Sequence, residues 1–146
     1  MRSGGALERV AYNARQMNGP SDPLPPQVRA FLYSCIDSIE QLDVLLLMRT
    51  SSESRSAHTV GVHLAIPDAR ARAHLDALTA RGLLHAAVRD GVTYSFRPAS
   101  AALARYCDEL AAVFEHARGE VLRFVAALPP PAVRSFAKAF KLRDSE

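Results

Sequence analysis

Between Arg55 and Arg89 the sequence sets out a series of basic side chains, Arg55, His58, Arg70, Arg72 and Arg89, on a stretch otherwise rich in alanine. A guanidinium carries a planar fork of donors that fits a phosphate or the O6/N7 edge of guanine, so the chemistry these residues offer is non-covalent recognition of a nucleic acid. Covalent chemistry has no comparable equipment. The histidines, His58, His63, His74, His85 and His116, form no helical metal-ligand pair with further cysteine or carboxylate ligands. A glycine-rich phosphate loop, a nucleophile elbow and a serine–histidine–acid arrangement are all missing. The sequence therefore predicts no enzyme, no metal and no cofactor.

Three elements must hold these cations. Ser56 suits a helix N-cap, Val60, Leu64 and Ile66 recur on one face, and Gly61 is small enough for a close helix crossing. Pro67 stops that helix. A second runs from Asp68 to Arg81 with Ala71, Leu75 and Leu78 turned inward, and Gly82 ends it as a C-terminal cap. With that face inside, Ala69, Ala73, Asp76 and Ala80 point outward, flanked by Arg70 and Arg72. Leu84, Ala86 and Val88 then alternate into Asp90-Gly91, a pair suited to a two-residue turn. Tyr94 and Phe96 alternate out of it, and Pro98 closes the ribbon.

Helix, turn, helix and ribbon give a mainly α fold with a small β-hairpin wing, followed by a long C-terminal helix. The run Leu75-Asp76-Ala77-Leu78-Thr79-Ala80-Arg81-Gly82-Leu83-Leu84 resembles the end of the recognition helix and the start of the wing in MarR-type bacterial transcriptional regulators. The resemblance covers Ser56 to Phe96 and implies a winged helix-turn-helix that binds double-stranded DNA and regulates transcription. On such a fold Arg70, Arg72 and Ala73 face the major groove, Arg55 or His58 clamps the backbone, and Arg89 beside the wing tip reaches a minor groove. Asp68 and Asp76 weigh against this, because each repels a phosphate. The alternative is a protein-protein interaction module or adaptor, in which the alanine-faced helix lies flat against another regulatory protein.

A formal net charge of +3 and a pI near 9.2 permit an anionic partner without making the chain polybasic. With 146 residues and 49% hydrophobic content, the chain suits one core plus helical extensions. Cys35 and Cys107 stand far apart in sequence, which predicts reduced thiols in a cytoplasmic protein. The longest apolar run, Val44 to Met48, is far too short to span a bilayer, so no membrane is expected among the partners.

The expected domains are a flexible arm at 1–23, the winged-helix domain at 24–98, a dimerising helix at 99–128, and a proline-rich spacer with a short tail helix at 129–146. Within the second, Leu24-Pro25-Pro26 opens a core helix bearing Val28, Phe31, Leu32, Cys35 and Ile36. Ser38-Ile39-Glu40-Gln41 has the form of a capping box and starts a more deeply buried helix carrying Ile39, Leu42, Leu45, Leu46 and Met48. Residues 50–55 read as a polar loop. In the third, Leu103, Cys107, Leu110, Phe114, Ala117, Val121, Phe124 and Leu128 advance by steps of four and three, the seam of a paired helix. One helix of that length spans about 40 Å, more than its own domain can cover, which predicts a homodimer with recognition helices roughly 34 Å apart. Gly119 is its weak point. After Pro129-Pro130-Pro131, Val133, Phe136, Ala137 and Phe140 share one face of a basic helix expected to dock on its own body, its dimer mate or a foreign protein.

Overall fold

The computed structural model of the protein describes residues 24–134. The expected arm at 1–23 and the tail helix beyond residue 134 lie outside them; at 131–134 the chain has turned helical. The elements run α1 (Pro26–Cys35), α2 (Ile39–Thr50), β1 (Arg55–Ser56), α3 (Ala57–Leu64), α4 (Asp68–Ala80), β2 (Leu84–Val88), β3 (Val92–Phe96), α5 (Ala101–His116) and α6 (Arg118–Ala126). This is a winged helix-turn-helix with a helical extension.

Proline in the first turn of α1 costs no hydrogen bond there, and Val28, Phe31 and Leu32 turn inward. Ser38 caps α2 by accepting from the Gln41 amide at 3.1 Å. The reciprocal half of the box is displaced by one residue, since Gln41 Oε1 accepts from the Asp37 amide at 2.9 Å. Leu42, Val44, Leu45 and Met48 are buried to 1% exposure or less. Ile39, expected inside, is exposed, and Val44 takes the core position instead.

The helix-turn-helix is fixed by two turns of the same kind. At the end of α4 the Leu83 amide donates to Leu78 O and the Gly82 amide to Thr79 O, both at 3.0 Å, with Gly82 at φ +82°. That is a Schellman cap, and it places Leu83 against the core side of Leu78. The end of α3 repeats the device, Ile66 N donating to Gly61 O at 2.9 Å, but Ala65 occupies the left-handed position at φ +59°. An L side chain there costs about 1–2 kcal/mol. Ala65→Gly should relieve that and lose about 0.4–1 kcal/mol through the freer unfolded chain, leaving a net gain of about 0.5–1 kcal/mol. Urea melts check it. At Gly61 a Cβ would stand 2.8 Å from Ile66 O and 3.2 Å from the Asp68 carboxylate, which is the close approach that its size serves.

β3 lies between β1 and β2 in an antiparallel sheet of order β1-β3-β2. Residues 50–55 are therefore not all loop: Arg55 pairs with Tyr94 and Ser56 with Thr93. Because Val88 pairs with Val92, the wing turn takes the three residues Arg89, Asp90 and Gly91 rather than two, with Gly91 at φ +120°.

The C-terminal extension is expected as one helix and is found as two. α5 ends at His116, Ala117 leaves helical geometry at φ −133°, ψ 38°, and α6 begins at Arg118. Hydrogen bonds from Ala117 N to Val113 O and from Val121 N to Ala117 O flank the break, two residues before Gly119. The bend lets the seam close on its own chain, so the length argument for pairing does not hold. Cys107, Leu110 and Val121 are buried in the common core, while Leu103, Phe114, Phe124 and Leu128 stay half-buried at its edge. Burial pushes the Cys107 thiol up to about 11, as befits a small packing residue.

Candidate nucleic-acid interface

Helix α4 divides along the face predicted for it. Ala71, Leu75 and Leu78 are 0% exposed, and Ala69, Arg70, Arg72, Ala73, Asp76 and Ala80 all face solvent. Burial of the two leucines alone stabilises this orientation by roughly 1.5–3 kcal/mol each. Pro67 precedes the helix without a side-chain cap. Asp68 in its first turn instead favours the positive end of the helix and meets His58 Nδ1 at 3.0 Å.

The arginines of this face differ in their surroundings. Arg70 is gripped by Glu40 of α2, Nε to Oε1 at 2.8 Å and Nη2 to Oε2 at 3.2 Å. His74 Nε2 meets the same Glu40 Oε1 at 2.8 Å from the other side. The His74 hydrogen bond, with the hydrogen bond and charge of Arg70, outweighs modest desolvation and holds the Glu40 carboxyl below its usual range. Arg72 forms no salt bridge among the described residues and projects from an exposed position. One turn further on, Asp76 accepts from the Tyr94 hydroxyl at 2.5 Å, joining α4 to the wing. Burial, then the hydrogen bond and charge of Asp76, push Tyr94 up to about 12 against the pull of Arg72, so the phenol remains a donor throughout the physiological range.

The C-terminal end of α4 is tied into the body. Arg81 donates to Cys35 O at 2.6 Å, to Gln41 Oε1 at 2.8 Å and to Asp37 Oδ2 at 2.9 Å. Arg134, at the start of the tail, donates to Asp37 Oδ1 at 2.8 Å, to Pro129 O at 3.0 Å and to Tyr33 O. Burial alone raises Asp37, but the hydrogen bonds and charges of Arg81 and Arg134 together overcome it and leave the carboxyl lowered. Gln41 Nε2 reaches His74 Nδ1 at 3.4 Å, which makes the polar contacts continuous from Arg134 through Asp37, Arg81, Gln41, His74 and Glu40 to Arg70.

Of the residues predicted from sequence, Arg70, Arg72 and Ala73 share the open face of α4, and His58 is exposed at the start of α3 beside Asp68. Arg89 is exposed at the tip of the wing. Arg55 is half-buried in β1, its Nε enclosed without a hydrogen-bond partner among the described residues. Sequence reasoning missed Glu40, His74, Asp37 and Tyr94. Each acts on a residue distant along the chain, and the only local signal, the capping-box form around Glu40, pointed to Gln41 instead. No cluster of side chains suited to a metal occurs among the described residues, and no helix there is long and apolar enough to cross a membrane.

No protein-family model matches the chain, and no curated protein does. Among solved structures it is similar to the homodimeric winged helix-turn-helix DNA-binding domain of a possible ArsR-family transcriptional regulator from Mycobacterium bovis, with TM-score 0.45 and 19% identity over 80% of this chain and 87% of that one. It is similar also to BpsR of Bordetella bronchiseptica, whose DNA binding is regulated by 6-hydroxynicotinic acid, with TM-score 0.44 and 22% identity over 99% and 93%. A MarR-family transcriptional regulator from Silicibacter pomeroyi has TM-score 0.46 and 15% identity over 98% and 92%. Likeness at this level carries no argument of its own. The winged helix-turn-helix class rests on the element order, the caps and the strand register of this chain.

Proposed function

We propose that the chain is a DNA-binding transcriptional regulator that works in the cytoplasm as a winged-helix homodimer. The observation that carries this reading is the outward side of α4, where alanines alternate with guanidinium groups and none of Ala69, Arg70, Arg72 and Ala73 is covered by the described residues. Small side chains let the helix backbone approach base edges while the arginines reach past it. The carboxylates that weigh against DNA are both tied to neighbouring side chains, Asp68 to His58 and Asp76 to Tyr94, which turns them toward the protein without removing their charge. His58 at the start of α3 and Arg89 at the wing tip are exposed and suit backbone contacts. A second copy would sit on the half-buried Leu103, Phe114, Phe124 and Leu128 and would set the two recognition helices about one DNA turn, roughly 34 Å, apart.

Anisotropy titration against a random-sequence duplex pool, repeated across salt concentrations, tests the reading. Counterion release makes log K fall with log salt at about −0.9 per phosphate neutralised, so two copies laying down three or four cations each should give a slope near −5 to −7. An adaptor that never touches DNA shows no binding even at low salt. Light scattering reads the dimer, and a monodisperse monomer at tens of micromolar would remove that half of the proposal.

A further inference from the structure

Arg70 is held side-on. Its Nε and Nη2 donate to the two oxygens of Glu40, which occupies one of the two bidentate edges of the guanidinium. The other edge, Nη1 with the second hydrogen of Nη2, has no hydrogen-bond partner among the described residues, and the side chain is 57% exposed. That free edge is a two-donor fork of the kind that spans O6 and N7 of guanine.

Glu40 is itself braced from behind. Arg81 and the Asp37 amide both donate to Gln41 Oε1, which turns the amide nitrogen of Gln41 toward His74 Nδ1. His74 must then accept at Nδ1 and donate from Nε2 to Glu40 Oε1. The groups behind the carboxylate are thus directed by Gln41 of α2, the Asp37 amide in the link before it and Arg81 at the end of α4. An unrestrained arginine at a DNA surface settles on whichever phosphate is nearest. One fixed by a carboxylate has given up its rotamer freedom before DNA arrives, and the carboxylate charge weakens its pull on phosphates in general.

We propose that Glu40, on α2 and outside the helix-turn-helix itself, is a specificity-determining positioning residue that fixes the Arg70 fork for a guanine edge in the major groove. The inference rests on the DNA-binding reading above.

The test uses the full chain and a duplex selected with it from a random pool. The same duplex with 7-deazaguanine replacing one guanine at a time removes the N7 acceptor, and an unrelated duplex serves as reference. Wild type should lose about tenfold in affinity at one guanine of a half-site. Arg70→Lys, which keeps the charge without the fork, and Glu40→Gln, which keeps the shape but only one acceptor, should both become insensitive at that guanine. Each should lower the selected-over-unrelated ratio by about tenfold. Glu40→Gln should bind the unrelated duplex as well as wild type or better, because a negative charge beside DNA has gone. A purely structural role would weaken both duplexes in parallel and lower the melting temperature, and that result overturns the proposal. So does a Glu40→Gln protein with wild-type discrimination. If wild type binds duplexes without preference, this inference alone falls; if it binds none, the DNA-binding reading falls first.

Discussion

Replacing Arg70 and Arg72 together with alanine should weaken binding to a selected duplex by about 10²–10³-fold while leaving the melting temperature within a degree or two of wild type. A good bidentate base pairing discriminates by about 1–3 kcal/mol, and each copy that no longer neutralises a phosphate also flattens the salt dependence by about one unit. The two positions are not equal. Arg72 makes no ion pair among the described residues, so Arg72→Ala takes away an exposed cation without stranding a carboxylate partner. Arg70→Ala also releases the Glu40 carboxylate from its arginine partner and leaves a negative charge at the DNA surface, so it should cost more than Arg72→Ala. Both side chains are exposed, and neither supports the core. Affinity within threefold of wild type for the double variant, measured at two salt concentrations, would sink the assignment of this face to DNA.

What could be read from sequence follows the reach of each interaction. The spacing of Ala71, Leu75 and Leu78 carries the orientation of α4 because a helix face is a local property of 3.6-residue periodicity, and Gly82 marks its end because the left-handed cap demands a residue without a Cβ. The same logic fails one turn earlier in the motif. Ala65 adopts the left-handed conformation without any glycine to announce it, held by the close packing of Gly61 on Ile66. β1 has only the residues Arg55 and Ser56 and exists because β3 offers an edge, so no alternation within it could have shown it. The break at Ala117 is likewise absent from the periodicity: of the expected seam Cys107, Leu110 and Val121 are buried, but α6 turns to bury Val125 and leaves Phe124 half-buried. Long-range polar pairs were the least legible. Glu40 with Arg70, Tyr94 with Asp76, and Asp37 with Arg81 and Arg134 join residues far apart in sequence, and a charge pattern along the chain names no partners.

The last of those pairs supports the largest expected loss of stability. Asp37 lies in the link between α1 and α2 and carries two guanidinium groups, one from the end of α4 and one from the start of the tail. Arg134 is only 6% exposed, so removing its carboxylate partner strands a charge that water cannot reach. Breaking a buried pair costs about 3–5 kcal/mol, and since Arg81 and Asp37 keep partial access to solvent, Asp37→Ala should cost nearer 2–3 kcal/mol at neutral pH. The pH dependence follows from the direction of the shift. Asp37 is lowered from an ordinary 3.8, so the unfolded chain takes up its proton first; the stabilisation is fully present above that value and is lost as pH falls through the lower folded value. Wild type and Asp37→Ala should therefore differ by a constant amount from pH 5 to 8, begin to converge near pH 4 and go on converging as pH falls through the lower folded value. Urea melts at pH 7 and pH 3 measure both quantities. A gap under about 0.5 kcal/mol at pH 7, the range of an ordinary surface substitution, would mean that the pairing contributes little. An undiminished gap at pH 3 would assign the cost to poorer packing around Asp37 rather than to its charge.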